Sequence, residues 1–140
     1  MFGIWRVDPN SLPPPVGGKR RIRDGPVIDL RVLQHAIESR SIDEDQLWVA
    51  TQSCARDLQN LQLQSSAVLQ MLGQLLDSDY NRSEWCTVMG DREVLCDVYR
   101  FRYDFGRAAR NSNGLETYLK FSIDEDGTLT IVLVSCHLSR

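Results

Sequence analysis

The stretch CDVYRFRYD, residues 96–104, decides how this sequence folds. Its Val, Tyr and Phe suit the pleated, half-buried surface of a β-strand. Side chains alternate across a strand, so Cys96, Val98, Arg100 and Arg102 share one face while Asp97, Tyr99, Phe101 and Tyr103 share the other. One face carries the bulk of a core. The other carries two arginines, and is either a solvated surface or a site.

The same alternation continues on both sides of this stretch. It predicts strands over 80–89, 94–103, 117–124 and 129–138, joined by hairpin-like connections at GDR and DEDGT. Leu119, Phe121 and Ile123 point one way while Tyr118, Lys120 and Ser122 point the other. Upstream the period is helical. Leu30, Leu33 and Ile37, widened by Val32 and Ala36, mark a first helix ending near Ser39 or Arg40. A second is predicted from SIDE, with Ser41 capping and Glu44 bonding back, through Leu47, Ala50, Cys54 and Leu58. A third follows QSS, with its stripe at Val68, Leu69, Leu72, Leu75 and Leu76. Helices followed by an antiparallel meander predict an α+β fold, the N-terminal helices covering one sheet face.

A chain of 140 residues, 42% hydrophobic and 25% charged, suits one globular domain and excludes collagen-like and wholly disordered readings. No apolar run has membrane-spanning length, and MFGIWRVDPN lacks the basic-then-apolar order of a secretory signal, so a cytoplasmic protein without membrane contact is expected. Residues 1–27 hold all five prolines and the basic run Lys19, Arg20, Arg21, Arg23, and read as a flexible arm preceding a domain over 28–140. Cys54, Cys86, Cys96 and Cys136 form no C-x-x-C pair, and His35 and His137 add no ligand cluster. No metal or other cofactor is expected, and the thiols read as small core side chains. The net charge of −3 gives no global attraction to phosphate, so nucleic-acid binding needs a local basic surface.

Such a surface can be read from the strands. Their second face collects Tyr80 and Arg82, then Cys96, Arg100 and Arg102, then Tyr118 and Lys120, then Ser135 and His137. Two arginines, a lysine, a tyrosine and a histidine in one concavity could hold a phosphate backbone and an attacking hydroxyl.

DSDYNRS (77–83), DVYRFR (97–102), YLKFSI (118–123) and TIVLVS (130–135), in that order, resemble successive pieces of the MqsR family of bacterial type II toxins. The resemblance runs upstream through LQSSAVLQMLGQLLDSDY and more faintly to the first helix, covering residues 28–138. It implies a RelE-like toxin fold, mRNA endonuclease (mRNA interferase) activity, single-stranded mRNA as substrate, and restraint by a cognate antitoxin, with DNA reached only through that antitoxin. Carried over residue by residue, it places Arg82 where the family has a Lys, Cys96 in place of a Gln, and His137 in place of a second Lys, with Tyr118 retained.

Arg82 keeps the charge and adds a planar fork for phosphate, although it cannot exchange protons as lysine does. His137 gains a group that titrates near neutrality. The resemblance thus implies metal-independent cleavage by attack of a 2′-hydroxyl on the adjacent phosphate. Tyr118 and His137 would share the proton work, Arg82 would stabilise the phosphorane, and Arg100, Arg102, Lys120 and Cys96 would contact the substrate. The alternative is a toxin-like protein that binds an antitoxin or other partner without cleaving RNA. The connection DFGRAARNSNGLE, carrying Arg107 and Arg110, either covers the site, contacts RNA or is a plain solvent loop.

Overall fold

The computed structural model describes residues 3–12, 20–125 and 128–139. Among them, three α-helices lie against a seven-stranded, mostly antiparallel sheet, so the α+β expectation holds. The helices are α1 (Leu30–Glu38), α2 (Gln52–Leu61) and α3 (Ser65–Gly73). The strands are β1 (Arg21–Ile22), β2 (Leu47–Val49), β3 (Tyr80–Val88), β4 (Arg92–Asp104), β5 (Ala109–Arg110), β6 (Leu115–Asp124) and β7 (Thr130–Leu138). Their order is β1-β3-β4-β6-β7-β2, with β5 paired to the end of β4. No described helix is long and apolar enough to cross a membrane.

Local chemistry sets the helix starts. Asp29 accepts the Arg31 and Val32 amides and opens α1, whose Leu30, Leu33 and Ala36 turn inward. Thr51 accepts the Cys54 amide and opens α2, which Gln62 ends in the left-handed region at φ 56°. The second helix therefore does not begin at Ser41. A capping box does form nearby, between Asp43 and Gln46, but it closes only a single 3-10 turn, and the chain then extends as β2. β2 runs parallel to β7, Leu47 opposite Ile131 and Val49 opposite Leu133.

The helices bury one sheet face. Leu95, Tyr99, Phe101, Leu119, Phe121, Leu133 and Cys136 meet Leu33, Leu58, Val68 and Leu72 in one core. Tyr99 and Phe121 stack there at 5.8 Å. Asp97 is the exception on this face, a fully buried carboxylate. It accepts the Val27 and Ile28 amides at 2.9–3.1 Å and the Ser83 hydroxyl at 2.5 Å. Burial raises its pKa, and these donors work against that rise.

Those bonds correct the reading of residues 1–27 as a flexible arm. Three of its residues belong to the core: Ile4 and Val27 are 3% and 1% exposed, and Trp5 is buried beside them. Trp5 bridges Ile28, the Asp29 amide donates to the Ile4 carbonyl at 2.7 Å, and the Arg6 amide donates to the Val27 carbonyl at 2.8 Å. Arg21 and Ile22 add β1 to the edge of β3. The physical reason is apolar area, since burying one large side chain stabilises by about 1.5–3 kcal/mol and two adjacent ones hold a strand without any periodic signal. Gly25 permits the approach, because a Cβ there would lie 2.0 Å from the Tyr80 hydroxyl and 2.1 Å from that of Ser83. The proline run and Lys19 lie outside the described residues.

The sheet's other face is concave. The Ala50 amide donates to Leu133, and the Ala50 carbonyl accepts the Met89 amide at 2.9 Å, so the end of β2 reaches the β3–β4 turn and the sheet curls towards closure. At this closed end Ala50, Cys86, Val88, Val94, Cys96, Val132 and Val134 fill the interior with small apolar side chains, with Trp48 beside them. A bulge between Lys120 and Phe121 inserts Val134 into β7. The opposite end of the concavity is open and polar.

Candidate active site

Three adjacent rows of the sheet register build the open end. Arg82 lies opposite Val98, Val98 opposite Lys120, and Lys120 opposite Ser135. One row outward, Arg100, Tyr118 and His137 stand opposite one another in turn. One row inward, Glu84 stands opposite Cys96. The curl turns these side chains towards a shared cavity of about 300 Å³, lined by Arg82, Tyr118, Lys120, Ser135, His137 and Ser139, with Val98 among them.

The structure therefore brings together Arg82, Tyr118, Lys120 and His137 out of the residues singled out in the sequence. Tyr118 and His137 stack with ring centroids 5.4 Å apart and planes 27° apart. His137 Nδ1 lies 2.8 Å from the Leu138 carbonyl, so the ring's N–H sits at Nδ1 and Nε2 is left for chemistry. The Tyr118 hydroxyl donates to Glu116 Oε1 at 3.3 Å. Arg100 is exposed at the rim, where Tyr118 and Glu116 favour its charged form. Arg102 is also exposed, donates to the Gly114 carbonyl at 2.9 Å and pairs with Glu116.

Two expectations change. Cys96 is completely buried, and its thiol reaches the Val94 carbonyl at 3.8 Å, so it lies beneath the cavity and cannot touch a substrate. Tyr80 leaves the cationic face, because the β3 bulge between Tyr80 and Arg82 turns it onto Tyr99 and the Ser83 hydroxyl. The 105–114 connection does not cover the cavity either. β5 pairs back onto Tyr103 and Asp104, Arg110 makes a two-pronged ion pair with Asp79, and Arg107 pairs with Asp104.

The residue that sequence reading missed is Glu84. Its carboxylate accepts from Arg82 Nε and, through Oε2 at 3.4 Å, from Lys120 Nζ. Burial would raise the Glu84 pKa, but the Arg82 hydrogen bond and the Lys120 and Arg82 charges outweigh it and hold it below the ordinary value. Deeper still, the Cys86 thiol reaches Glu84 Oε2 at 4.0 Å and is lowered by the neighbouring Cys96, against the effect of burial and with help from Lys120, while burial raises Cys96. The signal for Glu84 was present as Arg82-x-Glu84, since residues two apart on a strand share a face.

A larger cleft of about 850 Å³ opens between the N-terminal segment and the far ends of β3, β4 and β6, lined by Trp5, Trp85, Arg92, Glu93 and Asp124. Arg92 there pairs with Asp124 and Glu93 with Arg20, and no imidazole lines it. The smaller cavity is the one in which cations, a phenol and an imidazole converge, with the Glu84 carboxylate bonded to both cations. It can hold a phosphate-sized anion and exchange protons with it. Comparison with family models, with curated proteins and with solved structures returned no match to this chain.

Proposed function

We propose that the protein is a toxin-like mRNA endonuclease that cleaves single-stranded RNA by attack of a 2′-hydroxyl on the adjacent phosphate, without a metal. The observation that carries this reading is the stacked Tyr118–His137 pair sharing one cavity with Arg82 and Lys120. Arg82 Nε is held by Glu84 and Nη1 by Asn81 at 2.8 Å, so the guanidinium is fixed in place to meet a developing phosphorane. Tyr118 and His137 supply the exchangeable protons, and Arg100 and Arg102 at the rim meet the flanking backbone. The MqsR resemblance, with its RelE-like fold of helices on one side of an antiparallel sheet, supports the same substrate class and adds a cognate antitoxin as partner, with DNA reached only through it.

A second reading has its own observation: Glu84 neutralises part of the charge of both Arg82 and Lys120. On that reading the face binds an antitoxin or other partner and no longer cleaves. The deciding experiment incubates purified protein with end-labelled single-stranded RNA in excess EDTA. The nuclease reading expects fragments ending in a 2′,3′-cyclic phosphate, and a cleavage rate that falls steeply with added salt. Intact RNA, or cleavage that requires added metal, rejects it.

A further inference from the structure

Glu84 sits where neither a solvated surface residue nor a plain core residue belongs. Its side chain is 19% exposed and lies behind two residues of the cavity lining, with one oxygen towards Arg82 and the other towards Lys120. We propose that Glu84 is the proton acceptor for the attacking 2′-hydroxyl, and that protonated His137 is the acid that completes the reaction. The inference rests on the nuclease reading above and fixes the direction of proton flow within it.

The argument is positional. In-line displacement at phosphorus places the entering and leaving oxygens on opposite sides of the phosphate, so acid and base must approach from opposite walls. Arg82 and Glu84 stand on β3, at one wall, and His137 stands on β7, at the other, with β4 and β6 as the floor between them. Glu84 is a carboxylate set between two cations at the cavity, which keeps it unprotonated and ready to accept. Arg82 and Lys120, bonded to that carboxylate, are also placed to receive the phosphate oxygens.

The step balances as follows. The 2′-oxygen forms a bond to phosphorus while its proton passes to Glu84. The bond from phosphorus to the 5′-oxygen breaks, and that oxygen takes the proton from His137 Nε2. The products are a 2′,3′-cyclic phosphate and a free 5′-hydroxyl. Proton return through water resets both groups.

The groups that govern the titration are few. Glu84 faces Arg82 and Cys86 on its own strand, Lys120 from β6 and Cys96 from β4. His137 faces Tyr118 from β6, and on its outer side it shares a separate shallow pocket with Asp57 of α2. A base must be deprotonated, so the rate rises with pH through the Glu84 titration, which the Arg82 and Lys120 contacts hold below the ordinary glutamate value.

The test measures single-turnover cleavage of an end-labelled RNA oligonucleotide between pH 3.5 and 9 by the parent and Glu84→Gln, with RNA affinity read on the same oligonucleotide carrying 2′-deoxy sugars. The expected result is a loss of about 10²-fold or more in rate for the glutamine variant, loss of the acid limb, and affinity equal to or tighter than the parent's. Equal or faster cleavage by Glu84→Gln makes Glu84 a counter-ion only and overturns the inference while leaving the nuclease reading intact. If Glu84→Gln does not fold, the parent's profile decides: an acid limb reversible on returning to neutral pH supports the assignment, and a flat rate down to the onset of unfolding overturns it. A parent that binds the deoxy oligonucleotide yet leaves RNA uncut overturns both readings together.

Discussion

The two ends of the concave sheet face are built on the same strands and have opposite interiors. At the closed end, where Met89 bonds to Ala50, valines and cysteines fill the space and every one of them is buried. At the open end, on the same β3, β4, β6 and β7, the inward positions become Arg82, Lys120, Tyr118 and His137, and a cavity remains. The difference teaches that curl alone does not make a site. A curled sheet lined with small apolar groups is core, and changing the residue type within a few positions along each strand leaves an open cavity with a polar, cationic lining.

The comparison breaks most directly by swapping properties between the ends. Val132→Asp, which puts a charge among closed-end residues of at most 8% exposure, should cost about 4 kcal/mol and lower Tm by more than 10 °C in a thermal scan. A transition within 2 °C of the parent would mean that this end is open to water. Next, Ile4→Ala should cost about 3 kcal/mol in chemical denaturation, because it removes a side chain 3% exposed from the core on the other face. Its cleavage rate under native conditions should match the parent's. Parental stability in this variant would restore the flexible-arm reading of the N-terminal segment.

At the open end the expected cost moves from stability to chemistry. His137→Ala should keep the parental Tm within about 2 °C and lose about 10²-fold in cleavage, the usual contribution of a positioned acid or base. His137→Lys should recover part of the rate, since it restores the residue the family resemblance assigns to that place. An alanine variant that cleaves normally from pH 5 to 9 would make His137 a bystander.

The smallest effect sharpens the boundary between the ends. Cys86, 7% exposed and lowered chiefly by its neighbour Cys96, should be the first thiol alkylated in the native protein at pH 8. Burial pushes Cys54 and Cys136 up to about 12, so peptide mapping should find both unlabelled until the chain unfolds. Labelling of Cys54 or Cys136 ahead of Cys86 would contradict the packing described for both ends.

Much of this was legible in the sequence where a period was long enough to read. The stripes of α1 and α3 and the four long strands repeat over eight or more residues, and the alternation in β4 placed Arg100 and Arg102 opposite Tyr99 and Phe101 correctly. β2 was not legible, because three residues carry no period and their partner lies on β7. SIDE looked like a helix start because Ser and Glu had the right spacing, yet Asp43 and Gln46 close the box that forms. Ile4 and Trp5 escaped because two apolar residues beside a proline-rich stretch give no repeat. Tyr80 was misplaced by a bulge, which shifts the phase of alternation without any mark in composition. Of the site, Arg82, Tyr118, Lys120 and His137 followed from strand phase and resemblance. Glu84 was passed over because an acidic residue on a charged strand reads as solvated until the lysine two strands away is seen to reach it.

The pairing of β2 with β7 also bears on how the chain is made. Leu47 bonds alongside Ile131, and Thr51 donates to the Val134 carbonyl, so a segment synthesised early has no partner strand until a late one appears. During translation residues 47–51 must wait for most of the chain, and such distant pairing slows folding. His137 sits on that same late strand. A nascent chain therefore carries Arg82 and Tyr118 before it has either His137 or the wall that holds it, and the polar cavity is assembled only as β7 is laid in.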